Sequence, residues 1–160
     1  MKGKLFAISG PSGVGKNSVL SRVMQLRDRV QYSISATSRP MRPGEIDGKS
    51  YYFVTRAQFE QMIAAGELLE HAEYVGNYYG TPLAPIREAL EAGTDVVMDV
   101  DVVGALNIKK RLPEAVLVFL TAPSLAEIRR RLEKRGDVSP EAMEKRMERA
   151  KWEYSQAYQY

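Results

Sequence analysis

Apolar and polar positions change rhythm several times along the 160 residues, and each change marks an element. Lys4 to Ser9 is a short apolar, strand-like run that stops at the turn Gly10-Pro11-Ser12-Gly13; beyond it Val19, Leu20, Val23 and Leu26 recur at helical spacing. Strand, loop and helix form the opening unit. Val30, Tyr32, Ile34 and Ala36 alternate, predicting one half-buried strand over Val30 to Thr37. Arg39-Pro40-Met41-Arg42-Pro43-Gly44 then excludes regular structure. From Tyr51 to Thr81 the runs shorten: Tyr51 to Val54 and Leu68 to Tyr74 read as strands around one short helix. That helix has Thr55 and Gln58 at capping-box spacing and stops at Gly66. This texture predicts an inserted lobe.

A second short helix spans about Pro85 to Ala92 and closes at Gly93. Val96 to Val100 and Ala115 to Leu120 are continuous apolar runs, as parallel strands buried on both faces require. Ser124 with Glu127 opens a helix running to Arg135-Gly136. Ser139-Pro140 opens another, with Met143, Met147, Ala150 and Tyr154 on one stripe. Alternating strands and helices predict an α/β fold with a parallel sheet, right-handed crossovers and a ligand at the C-terminal strand ends.

Composition narrows the possible chemistry. With 44% hydrophobic and 27% charged residues the chain can bury one domain's core and is too apolar for disorder. No apolar run approaches the roughly 18 residues of a membrane helix, and the first breaks at Gly10, too soon for a secretion signal. A cytoplasmic location is expected. The absence of cysteine excludes disulfides, iron–sulfur clusters, cysteine–zinc sites and thiol nucleophiles. His71 is the only histidine, so a His-rich metal site is excluded and a Ser-His-Asp triad would need that residue. A net charge of +3 and a pI near 9.1 favour an anionic partner, phosphate first.

The turn after the first strand carries that chemistry. Gly10-Pro11-Ser12-Gly13-Val14-Gly15-Lys16 matches G-x-x-x-x-G-K directly between a strand and a helix. Its glycines let successive N–H groups face phosphate oxygens, and the helix start adds the positive end of its dipole. Lys16 supplies a mobile charge for β- and γ-phosphates. The candidate ATP-binding residues are therefore Gly10, Pro11, Ser12, Gly13, Val14, Gly15, Lys16, Asn17 and Ser18. Asn17 stands where a Ser or Thr hydroxyl usually meets Mg²⁺. Its amide oxygen can ligate the ion, or phosphates and water can hold it.

The segment from Ser35 to Tyr51, SATSRPMRPGEIDGKSY, joins this loop to Glu70, Gly76-Asn77-Tyr78-Tyr79-Gly80-Thr81, Asp99-Val100-Asp101 and Arg131 to Gly136. Together they resemble the guanylate kinase family over nearly the whole chain. The resemblance implies a P-loop three-layer fold with a parallel central sheet, an inserted small α+β GMP-binding lobe and a helical lid. In residues, it implies a core over 1–34 and 82–125, a lobe over 35–81, a lid over 126–150 and a C-terminal helix to 160. It further implies transfer of the ATP γ-phosphoryl group to GMP with Mg²⁺, ATP and GMP being the partners and neither nucleic acid nor membrane expected.

The individual residues agree with that chemistry. Guanine presents two N–H donors beside the O6 acceptor, so Glu70 can accept both while Ser35 or Thr81 donates to O6; adenine inverts the pattern. Arg39 and Arg42 flank a stiffening proline and can fork a phosphate, and Tyr51 and Tyr79 can donate hydroxyls; these four match the family's monophosphate site. Asp99 ends an apolar strand as an acid that would organise Mg²⁺, directly or through water, and Asp101 faces the same side. The resemblance puts Asp101 near guanine and the ion, although such a carboxylate also commonly caps a helix. Arg131 and Arg135 share a helix face, with Arg146 on the next helix, and look like the family's lid, whose cations neutralise the transferring group. The expected catalytic set is Lys16, Arg42, Arg131, Arg135, Arg146 and Asp99. Arg129, Arg130, Lys134 and Arg149 read as solvated charge, and His71 as a packing or surface residue.

Two other functions fit parts of this pattern: a non-catalytic guanylate kinase-like interaction module, and a kinase of another nucleoside monophosphate. Lys16 and Ser35 favour the enzyme over the module, and Glu70 with Thr81 favours GMP over other bases. The family continues past the long charged helix into a further strand and helix. The sequence therefore reads as lacking that segment, with the edge of Ala115 to Leu120 unpaired, weakened ATP binding and a tendency to self-associate.

Overall fold

A computed structural model describes residues 1–135 and 139–160, Arg135 by its backbone alone. In chain order the first elements are β1 (Leu5–Ser9), α1 (Lys16–Leu26), β2 (Val30–Tyr32), β3 (Ala36–Thr37), β4 (Tyr52–Phe53), α2 (Arg56–Ala64), β5 (Leu68–Tyr74) and β6 (Asn77–Pro82). There follow α3 (Leu83–Glu91), β7 (Asp95–Asp99), α4 (Val102–Arg111), β8 (Val116–Phe119), α5 (Leu125–Arg135) and α6 (Pro140–Ser155), with a 3-10 turn at Ala157–Gln159. The chain divides into two compact units, Met1–Leu5 with Gln31–Val96, and Phe6–Val30 with Val97–Tyr160.

One sheet has the strand order β2-β7-β1-β8, with β1 and β8 parallel from Phe6 opposite Val116 to Ser9 opposite Phe119. β8 is its edge. In the second unit, Ile8, Leu20 and Val97 form one core cluster with Phe6, Met24, Val30 and Val118 against it. Another joins Val14 and Ala122 to Ile128 and Leu132 of α5 and to Met143 and Met147 of α6. Each of those helix pairs is four residues apart, so each helix presents one stripe, and each side chain fully buried contributes roughly 1.5–3 kcal/mol relative to exposure. Tyr154 is only partly buried; its hydroxyl accepts from the Ala122 N–H at 2.8 Å and donates to the Ala122 carbonyl at 3.1 Å.

The other sheet runs β4-β3-β6-β5, antiparallel except for β3 with β4. Its core is Ala36, Phe59 and Leu68. The predicted capping box forms: the Gln58 N–H donates to the Thr55 hydroxyl at 3.2 Å and the Thr55 N–H to the Gln58 side chain at 2.8 Å.

Several expectations need correction. The alternation over Val30 to Thr37 is not one strand, because the chain leaves the first sheet after Tyr32 and joins the second at Ala36. α1 buries only Leu20 of its apolar stripe, Val19 and Leu26 being exposed. β7 buries Val96, Val97 and Met98 in succession, but all four β8 residues are half-buried, as befits an edge. β6 and α4 fall where no element was expected, and α3 begins at Leu83.

Candidate functional site

The loop after β1 is shaped by what glycine permits. Gly10 has φ 147°, and a Cβ there would stand 2.5 Å from the Leu120 carbonyl oxygen, so no larger residue fits. Gly15 starts α1 without a side-chain cap. The first N–H groups of the helix are thereby left to a ligand, and the helix dipole favours an anion. Lys16 Nζ donates to the Gly10 carbonyl at 2.7 Å and lies 3.9 Å from Asp99 Oδ1. Burial pushes the Asp99 carboxyl up and the Lys16 charge partly offsets it.

A cleft of about 450 Å³ is lined by loop residues between Pro11 and Ser18, Asn17 included, together with Asp99 and Arg131. Val14 is the loop residue that instead turns into the core beside Ile128 and Leu132. Arg131 reaches the loop from α5: its Nη1 donates to the Val14 carbonyl at 2.9 Å and its Nε to Glu127 at 2.7 Å. Glu127 also takes two bonds from Arg130, and these two arginines, Arg130 first, hold its carboxyl down at about 2.

The second unit thus brings together Lys16, Asp99 and Arg131 but not every residue expected beside them. Arg146 is half-buried on α6 and outside the cleft's lining. The Arg135 side chain and residues 136–138 lie outside the described residues. Asp101 takes the capping role, accepting the Gly104 N–H at 2.7 Å at the start of α4. Its other oxygen is 3.5 Å from Arg149, which also pairs with Glu153 and covers the Trp152 ring at 4.4 Å. Arg149 is therefore engaged, not merely solvated. No helical spacing signals a contact between α6 and the loop before α4.

The first unit carries a second constellation. Between Leu68 and His71 the β5–β6 register slips, and this bulge sets Glu70 near Thr81, whose hydroxyl donates to Glu70 Oε1 at 2.6 Å. Gly80 makes the approach possible: a Cβ there would be 2.7 Å from the Glu70 carbonyl oxygen. Thr81 is buried, while Glu70 and Ser35 are half-buried. The Ser35 carbonyl accepts the Tyr52 N–H at 2.9 Å, which fixes its backbone beside β4.

Arg39 is buried between aromatic rings, 5.5 Å from the Tyr51 centroid and 5.6 Å from that of Phe53; Glu45 first, with a smaller share from Tyr79, favours its charged form. Tyr51 and Tyr79 meet edge to face at 6.1 Å. Arg42 is exposed. Glu45, not anticipated from the sequence, forks Arg39 at 2.7 and 2.9 Å. An acid three residues after Arg42 in a basic, proline-bound loop was its signal. His71 is an exposed β5 residue opposite Gly80.

A glycine loop joining a strand to a helix, a lysine folded across it and an acid ending another strand of the same sheet define a P-loop, phosphate-binding α/β protein. Comparison with known proteins narrows this class: the chain belongs to the guanylate kinase family, whose model, described as Guanylate kinase, matches residues 2–160. It is 52% identical over 158 residues to a guanylate kinase of Thermus thermophilus, covering 99% of this chain and 71% of that one. It is 51% identical to a guanylate kinase of Lactococcus lactis, covering 95% and 74%. The crystal structure of guanylate kinase from Anaplasma phagocytophilum superposes with a TM-score of 0.67 at 31% identity, covering 99% of this chain and 74% of that one.

Proposed function

We infer that the chain catalyses ATP + GMP → ADP + GDP, with its two constellations dividing the work. In the transfer, the bond from the γ-phosphorus to the β–γ bridging oxygen breaks, and a bond forms to an oxygen of the GMP phosphate. The loop N–H groups from Gly10 to Ser18 hold the β- and γ-phosphates. Lys16 exchanges the Gly10 carbonyl for phosphate oxygens, gaining most where charge develops. Arg131, with Arg135 and Arg146, adds positive charge around the transferring group. Asp101 contributes through the first turn of α4, which it caps.

Arg39, Arg42, Tyr51 and Tyr79 take the GMP phosphate, the arginines by charge and the tyrosines by hydroxyl donation. Glu70 accepts the two guanine N–H donors. Because Thr81 spends its single proton on Glu70, it orients that carboxylate, and Ser35 is left to donate to O6.

Mg²⁺ fits the donor set. The Asp99 carboxylate, Asn17 amide and Ser18 hydroxyl line one cleft, and no group of three or more His, Cys, Asp or Glu suited to a metal occurs among the described residues. Those donors suit an ion held largely by phosphates and water, which Asp99 would organise through water and to which Asn17 could offer its amide oxygen. When bound, the ion neutralises β- and γ-phosphate charge. The same reading places the reaction in the cytoplasm; no helix among the described residues is long and apolar enough to cross a membrane.

The convergence of loop, Lys16, Asp99 and Arg131 on one cleft is the observation that carries the reading. ADP formation with GMP, AMP, CMP and UMP offered in parallel tests it. Rapid ADP release with GMP alone is expected. Another preferred monophosphate would reassign the lobe, and silence with all four would favour the interaction module.

A further inference from the structure

Glu45 has no part in the division of work above, yet its carboxylate accepts three hydrogen bonds within its loop. Arg39 has five N–H donors, and three are spent locally. Nη2 donates to Glu45 Oε1 at 2.7 Å, and Nη1 to Glu45 Oε2 at 2.9 Å and to the Pro40 carbonyl at 2.7 Å. Glu45 Oε2 also accepts the Arg42 N–H at 2.7 Å, while the Glu45 N–H donates back to the Arg42 carbonyl at 3.1 Å. One residue thus fixes the side chain of one cradle arginine and the backbone of the other.

The pair sits where such bonds are strong. The Arg39 side chain is only 10% exposed and that of Glu45 21%, so water competes little for either fork. An arginine buried between two rings with its donors unmet would be costly, and its long side chain would otherwise sample many rotamers.

We propose that Glu45 is a positioning residue for phosphate recognition: it presets Arg39 and Arg42 so that a nucleoside monophosphate meets a cradle already built. It also cancels one of the two arginine charges, so the phosphate is taken by the exposed Arg42 side chain, the tyrosine hydroxyls and the donors Arg39 has left. This rests on the assignment of that cradle to the GMP phosphate. A carboxylate in an arginine fork could instead compete with phosphate. The bonds to Arg42 speak against competition, because they close a local turn that a phosphate would not rebuild.

Glu45→Gln and Glu45→Asp in the full chain test the proposal. Steady-state rates give KM for GMP and ATP, and NMR titrations with GMP and guanosine isolate the phosphate's share of binding. Glu45→Gln should raise the GMP KM about tenfold, the scale of one charge-assisted hydrogen bond, and cut the preference for GMP over guanosine equally. The ATP KM and kcat should stay within about twofold. Glu45→Asp keeps the charge but shortens the reach, so its loss should be smaller; should Glu45→Gln fail to fold, this variant carries the same comparison. An unchanged or lower GMP KM would overturn the proposal, as would equal weakening of GMP and guanosine. A wild type that makes no GDP and does not prefer GMP to guanosine would strike the site assignment itself. A wild type that does both, matched by its variants, would strike Glu45 alone.

Discussion

Lys16 donates to a neutral carbonyl while Asp99 stands 3.9 Å away, a cation held in reserve for a stronger acceptor. If phosphate is that acceptor, Lys16→Met should lower kcat by roughly 100-fold or more, the scale of losing one preorganised donor to developing charge. GMP affinity should stay within about threefold; calorimetry beside steady-state kinetics checks both. At Glu70 the question is base choice. Glu70→Gln turns one acceptor into a donor facing guanine's N–H edge and should lower kcat/KM for GMP by about 1–3 kcal/mol, with AMP nearly unchanged. Equal losses for both nucleotides would mean that Glu70 shapes the lobe without reading the base. Lys16 was visible in the sequence because a motif fixes its place between strand and helix, and Glu70 because the family resemblance singles it out. The Glu45–Arg39 fork and the Arg149–Asp101 pair were not, because they come from loop closure and from helix-to-loop contact, which have no periodicity.

Among elements, those bounded by side-chain chemistry were legible and those defined by distant pairing were not. The α2 capping box and the β5 span follow from local residues. The break between β2 and β3 does not, since alternation says which residues share a face but not which sheet they join. β6 hid behind Gly80 and Pro82, residues that read as turn and that a bulged hairpin tolerates. α3 accepts Pro85 in its first turn, where a missing N–H costs nothing. Substitutions at two positions test this scale. Val75 sits at φ 48° in the β5–β6 turn before Gly76, a strained place for a β-branched residue; Val75→Asn should stabilise the protein by about 1 kcal/mol in denaturant unfolding. Asp101→Ala should cost about 1 kcal/mol by uncapping α4, whereas Asp101→Asn should keep most of that stability. Lost activity in the stable Asn variant would then report the charge and not the cap.

At the scale of the whole molecule, charge pairing sets the response to pH. Arg39 holds the Glu45 carboxyl down to about 2, and Arg130 with Arg131 does the same for Glu127. Both values are depressed from 4.5, so their stabilisation is complete above that value and fades as pH falls toward 2. Asp99 runs the other way: its raised value favours the fold only while protonated, and that contribution is lost as pH rises through it. Melting temperature should therefore fall below about pH 4.5, and Glu127→Gln should make that fall shallower. A parallel, undiminished fall in the variant would show that Glu127 is not a source of the acid sensitivity. Function at this scale reduces to the fate of one phosphoryl group, and a ³¹P NMR time course of the chain with ATP, GMP and Mg²⁺ follows it directly. Matched growth of ADP and GDP signals, without inorganic phosphate, is the predicted result. ADP appearing with inorganic phosphate and no GDP, or both nucleotides persisting unchanged, would contradict the account.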